Sequence, residues 1–200
     1  GLYIIQGSLF VSDSASLTVK TSHAIDISGG DLKISGGKIC SYATSDDAAI
    51  SVTRNIFNNA GNGNIEITGG EINATGGYLG AGIGGGCNGS GNVTISGGTI
   101  TAAGGDGAAG IGGGYYNGAT VTITGDAVIK NASTTVYGAG IGGGNGSDGN
   151  VTISGNAKIE NATGGYGAAG IGGGAFSSPD KIGNGNVVIK DNAKIDNVQG

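Results

Sequence analysis

Seven side chains gather around a recurring glycine-rich phrase, Ala-Gly-Ile-Gly-Gly-Gly. Tyr78, Tyr137 and Tyr166 precede copies of it, with Asp106 placed in the same column, and Tyr115, Tyr116 and Phe176 follow copies of it. A tyrosine ring is flat and apolar and carries one polar hydroxyl, so rows of such rings suit the faces of sugar rings. These residues are the candidate binding group. Corner tyrosines that stack only on one another, stiffening a repeat, would give the same pattern.

The acidic residues allow one other chemistry. Asp46-Asp47 is an adjacent acidic pair which, with Asp26 and Asp31 on nearby repeats, could build a calcium cluster of carboxylate oxygens. Asp148 ends Gly143-Gly144-Asn145-Gly146-Ser147-Asp148, which resembles a calcium-binding nonapeptide turn, although those sites need consecutive nine-residue repeats. Calcium is the cofactor these groups allow; solvated corner acids are the plainer reading.

Catalysis finds less support. Neighbours on a strand point to opposite faces, so Asp46 and Asp47 make a poor acid–base pair. His23 is the lone histidine and Arg54 the lone arginine, so no triad or histidine–metal cluster assembles. Gly80-x-Gly82-x-Gly84 mimics a phosphate-cradling loop but lacks the helix such a loop requires. No catalytic residue is expected.

The elements that position these groups follow from the phrase's spacing. Its isoleucines, Ile83, Ile111, Ile141 and Ile171, are separated by 28, 30 and 30 residues, a solenoid period. A strand with alternating apolar residues recurs from Leu9, Leu32, Ile65, Val93, Val121, Val151 and Val187. After a Gly-Gly or Gly-Asn corner comes a second strand whose inward residue is Leu17, Ile39, Ile72, Ile100, Ile129, Ile159 or Ile195. The phrase is the third, with Ala24-Ile25 and Ala49-Ile50 as earlier versions. The expected fold is all-β, a right-handed single-stranded parallel β-helix of about six to seven coils, each with three short strands.

One domain spans 1–200, with an irregular N-terminal cap and first coil over 1–31 and regular coils over 32–200. Insertions interrupt it near 53–63, carrying Arg54, Phe57, Asn58 and Asn59, and near 175–185, carrying Phe176, Pro179, Asp180 and Lys181. Glycine on the third strand offers nothing to pack, so the phrase predicts a flat face bare of side chains. Asn64, Asn92, Asn150 and Asn186 predict a buried turn ladder beside the first strand.

Composition narrows the partners. Forty-eight glycines with one proline exclude collagen, and periodic apolar residues exclude a disordered linker. A net charge of −5 leaves no basic stripe for phosphates, so no nucleic-acid partner is expected. Cys40 and Cys87 stand in unlike contexts and read as unpaired thiols. No apolar run is long enough to span a membrane and no leader is visible, so the chain reads as a mature or excised segment.

The outward residues Phe10, Lys33, Glu66, Thr94, Thr122, Thr152 and Val188 form a column whose threonines resemble the flat faces of ice-binding solenoids for three coils only. A wider resemblance covers nearly the whole chain. The Val-Thr-Ile-Ser-Gly-Gly-x-Ile strands, the glycine-rich phrase and Ser45-Asp46-Asp47-Ala48-Ala49-Ile50 resemble the β-helical carbohydrate-binding domains of bacterial surface proteins, built on the pectate-lyase-like solenoid. That resemblance implies a secreted or wall-attached bacterial module that binds polysaccharide, sometimes with calcium. A structural spacer or stalk is the alternative; a polysaccharide lyase or hydrolase is disfavoured, because the convergent Asp, Arg and His side chains of such enzymes are missing.

Overall fold

The computed structural model describes residues 2–5, 8–22, 24–28, 30–53, 63–176 and 181–200. Its strands rotate in strict order among three seven-stranded sheets, each pairing in parallel with the coil before and the coil after. One turn shows the pattern: Gly91–Ile95 in the first sheet, Thr99–Ala103 in the second, Ile111–Gly112 in the third. Neighbouring coils are therefore about 4.8 Å apart, the ordinary inter-strand spacing. The molecule is a right-handed parallel β-helix. Leu2–Ile5 already pairs with Ile25–Ser28 in the third sheet, so the rotation begins at the first described strand.

Like residues stack on like. Leu9, Leu32, Ile65, Val93, Val121, Val151 and Val187 align across the first sheet. The inward isoleucines of the second sheet continue from Leu17 to Ile195, and those of the third from Leu2 through Ile25 and Ile50 to Ile171. Strand alternation sends every second side chain inward, and these columns fuse into one core cluster running from Val11 to Ala162. The corner between the first two sheets needs positive φ, supplied by Gly37, Gly70, Gly98, Gly125 and Gly155. Asp191 takes this place in the last coil with φ of 60°, and its carboxylate accepts the Gly155 N–H at 3.2 Å.

The phrase departs from the expected bare face. Its glycines are buried, Gly82 to Gly86 and Gly110 to Gly114 alike. The second glycine after the alanine has φ of 135° in Gly84, 138° in Gly112, 133° in Gly142 and 135° in Gly172. The chain bends back there, so that the alanine N–H donates to the carbonyl four residues on: Ala81 to Gly85, Ala109 to Gly113, Ala139 to Gly143. A Cβ on Gly112 would land inside the van der Waals envelope of the Gly142 carbonyl oxygen, and one on Gly114 would strike that of Gly86. Close backbone stacking, not an open surface, is what excludes side chains here.

Other outward positions also differ from expectation. Asn64, Asn92, Asn150 and Asn186 are exposed rather than buried; Asn92 and Asn150 lie on strands at outward positions between buried neighbours. Asn64 bonds Asp31 of the preceding coil through its side-chain amide at 3.3 Å, and a further corner ladder forms where the Asn156 amide donates to Asp126 at 3.0 Å and the Asn192 amide to Asn156 at 3.4 Å. In the first sheet's outward column, Lys33 pairs with Glu66 at 3.0 Å, which ends the threonine row at Thr94. Both cysteines are free thiols. Arg54, Phe57, Asn58, Asn59, Pro179, Asp180 and His23 lie outside the described residues.

Candidate functional site

A second layer of chain covers the glycine strands. In the four coils that carry the phrase one loop leads into it and another leaves it, and the leaving loop folds back onto the entering loop of the coil before. Cys87 N–H donates to the Asp46 carbonyl at 3.1 Å, Tyr115 to Leu79 at 3.0 Å, Asn145 to Gly107 at 2.6 Å and Ala175 to Tyr137 at 2.7 Å. These donors recur with the period of the isoleucines, so the second layer is as repetitive as the core.

The two rows of loops enclose a cavity of about 300 Å³ lined by Tyr78, Leu79, Asp106, Gly107, Tyr115, Val136, Tyr137 and Asn145. That volume is at the lower end of small-molecule sites, roughly 300–1,000 Å³. Four of the sequence candidates, Tyr78, Asp106, Tyr115 and Tyr137, thus share one cavity, contributed by three coils. Asn145 was the residue that spacing missed. It is only 2% exposed, and its side-chain oxygen has no hydrogen-bond partner. A buried acceptor left unpaired costs about 1–3 kcal/mol, which a donor that reached it from the cavity would relieve. Among the described residues nothing forms a hydrogen bond or ion pair with the Asp106 carboxylate either.

Tyr137 is held in a conformation tyrosine rarely adopts. Its φ is 51°, and the Gly138 N–H donates to the Val136 carbonyl at 2.6 Å across it, closing a γ-turn of the rare, strained kind. Adjacent coils place Gly107 and Gly167 at this position, with φ of 75° and 71°. Tyr137 therefore stands one residue later than Tyr78, Asp106 and Tyr166 when each is counted to its isoleucine, correcting the single column read from the sequence. Tyr116 likewise has φ of 62°, where neighbouring coils have Asn88 at 58° and Gly146 at 62°. Bulky residues at positive φ store about 1–3 kcal/mol each and cluster at functional sites.

The remaining candidates, Tyr116, Tyr166 and Phe176, lie outside the cavity lining and join it through ring contacts. Tyr115 and Tyr116 rings lie 4.0 Å apart, Tyr116 and Phe176 5.7 Å, and Tyr137 meets Tyr166 edge-on at 6.1 Å. The Lys181 ammonium sits 5.6 Å from the Tyr116 centroid. The Tyr115 hydroxyl donates to that of Tyr116 at 3.1 Å. That bond, then burial, then the neighbouring phenols push the Tyr115 pKa up to about 12. Burial, followed by the charges of Asp46 and Asp47, raises the Cys87 thiol above its ordinary range.

The proposed calcium ligands do not converge by themselves. Among the described residues no group of three His, Cys, Asp or Glu side chains is placed to hold a metal, whereas calcium takes six to eight oxygens. The Asp148 carboxylate accepts the Asn184 N–H at 2.6 Å, and that of Asp31 accepts the Asn64 N–H at 3.1 Å. The backbone carbonyls of Asp46 and Asp47 accept from Cys87 and Gly77. These bonds tie each of the four residues to the next coil.

The three parallel sheets define a parallel β-helix domain, and its second layer of loops carries a half-open, aromatic-lined cavity. A family model described as a beta helix repeat matches residues 65–87, 93–115 and 151–175, each match running from a first strand into or just past the phrase. No curated protein and no solved structure matches the chain. Tyr78, Asp106 and Tyr115 fall within matched repeats, whereas Val136, Tyr137 and Asn145 belong to the intervening coil that the family model passes over.

Proposed function

We propose that the domain is a non-catalytic carbohydrate-binding or adhesive module of a secreted or cell-surface bacterial protein. The observation that carries this reading is the cavity in which the rings of Tyr78, Tyr115 and Tyr137 stand around an unpaired buried acceptor, Asn145, and the Asp106 carboxylate. Rings cover the apolar faces of a pyranose, and the acceptors take its hydroxyl protons. The cavity lining holds a single carboxylate, whereas glycoside hydrolysis ordinarily uses two. The strain at Tyr137 and Tyr116 supports the same reading, since glycine or asparagine fills those positions in adjacent coils at less conformational cost.

The test is a screen of plant, host and microbial polysaccharides, with and without calcium, alongside an assay for released reducing or unsaturated ends. Binding without release is expected; failure to bind any of them would overturn the reading. One observation favours a structural spacer instead: the Tyr137–Tyr166 contact braces successive coils, and the Tyr116–Phe176 contact reaches across the coil between them. A spacer predicts that Tyr78→Ala with Tyr166→Ala leaves every binding activity unchanged.

A further inference from the structure

We infer that the tyrosine cavity selects a sugar ring bearing a protonated amine over a neutral or acidic one, an inference that rests on the carbohydrate reading above and names its ligand class. The polar side chains lining the cavity are the Asp106 carboxylate, the Asn145 amide and the phenols of Tyr78, Tyr115 and Tyr137, so its one formal charge is negative. No lysine, arginine or histidine lines it. An acidic sugar would bring its carboxylate towards Asp106 with no cationic side chain in the lining to offset the repulsion. A neutral sugar satisfies Asn145 but leaves Asp106 without an opposite charge.

An ammonium meets all three features together. Its protons supply the donor that the Asn145 oxygen lacks, its charge pairs with Asp106, and tyrosine faces attract cations through their quadrupole. The aromatic strip already carries one such contact at its outer end, where Lys181 lies over Tyr116 rather than inside the cavity. The preference is local to the cavity: the chain's net charge of −5 would attract any polycation but would not distinguish Asp106 from the other acids.

Three oligosaccharides with the same β-1,4 backbone separate the cases: hexamers of glucosamine, of N-acetylglucosamine and of glucose, titrated at pH 6 with tyrosine fluorescence as the readout. The glucosamine hexamer is expected to bind at least about tenfold more tightly than either other, and the preference should fall below about threefold in Asp106→Asn and in Asn145→Ala. Asp106 is half-buried, so its isosteric replacement leaves the fold intact even where Asn145→Ala does not. Equal affinity for the glucose and glucosamine hexamers would overturn the amine preference while leaving glycan binding standing. A preference that persists in Asp106→Asn would assign it to bulk charge and overturn the inference too. Binding of none of the three would also overturn it, and the polysaccharide screen then decides the broader reading separately.

Discussion

Replacing Gly112 by alanine tests why the phrase is glycine-rich. Gly112 has φ of 138°, a region that strains any L side chain by roughly 1–3 kcal/mol. Its new methyl would also collide with the Gly142 carbonyl of the next coil. Relief requires the coils to part, which weakens the Gly113-to-Gly142 bond at 2.9 Å and the Ile111-to-Gly140 bond at 3.0 Å. Each contributes about 1 kcal/mol, and more if its carbonyl is left buried and unpaired. Reduced freedom of the unfolded chain returns about 0.4–1 kcal/mol. The expected net loss is about 4 kcal/mol. Two companions divide it: Gly167→Ala meets a positive φ of 71° with only an ordinary 3.5 Å contact to Ala175, so it should lose about 1–2 kcal/mol. Gly114→Ala meets the Gly86 carbonyl without a positive φ and should fall between. Urea unfolding followed by far-ultraviolet circular dichroism measures all three. If Gly112→Ala lost no more stability than Gly167→Ala, coil-to-coil backbone contact would not be the reason for the glycines.

Three further outcomes are expected. Tyr137→Gly copies the Gly107 and Gly167 of adjacent coils, so relief of its strained φ should hold the stability loss to about 1 kcal/mol while glycan affinity drops at least tenfold in the same preparation. Ultraviolet titration of the phenols should show Tyr115 losing its proton near pH 12, after ordinary tyrosines; because the folded state holds that proton more tightly, its contribution to stability is complete below about pH 10 and disappears as pH rises through about 12, and Tyr116→Phe should bring the titration back down. In a Cys40→Ser background, Cys87 should react slowly with a disulfide reagent at pH 8, and Asp46→Asn with Asp47→Asn should speed the reaction by removing two of the charges that hold the thiol protonated; an unchanged rate would show that they do not act on it.

The scaffold was legible because a solenoid repeats its instructions. Seven first strands and seven inward Leu or Ile residues of the second strand could be aligned from the sequence, and the same columns pair in the structure. The phrase misled in one respect. Glycine signals absent side chains but not what replaces them, and the cover over Gly84 and Gly112 comes from loops whose hydrogen bonds are backbone to backbone, so no residue type reports them. Tyr78, Asp106, Tyr115 and Tyr137 could be nominated because aromatic and acidic residues are rare beside the repeat. Asn145 could not, since it stood among glycines in a segment that resembled a calcium turn. Its one available signal was its place in the column of Cys87, Tyr115 and Ala175, whose N–H groups all reach the preceding coil.

The most direct measurement is titration calorimetry of the wild-type domain and Tyr137→Gly with the tightest-binding oligosaccharide from the polysaccharide screen. Binding through the cavity predicts one site per chain in the wild type and at least a tenfold weaker one in the variant, with the fold retained. Undiminished affinity in a folded Tyr137→Gly would place the ligand elsewhere and contradict the assignment of the cavity.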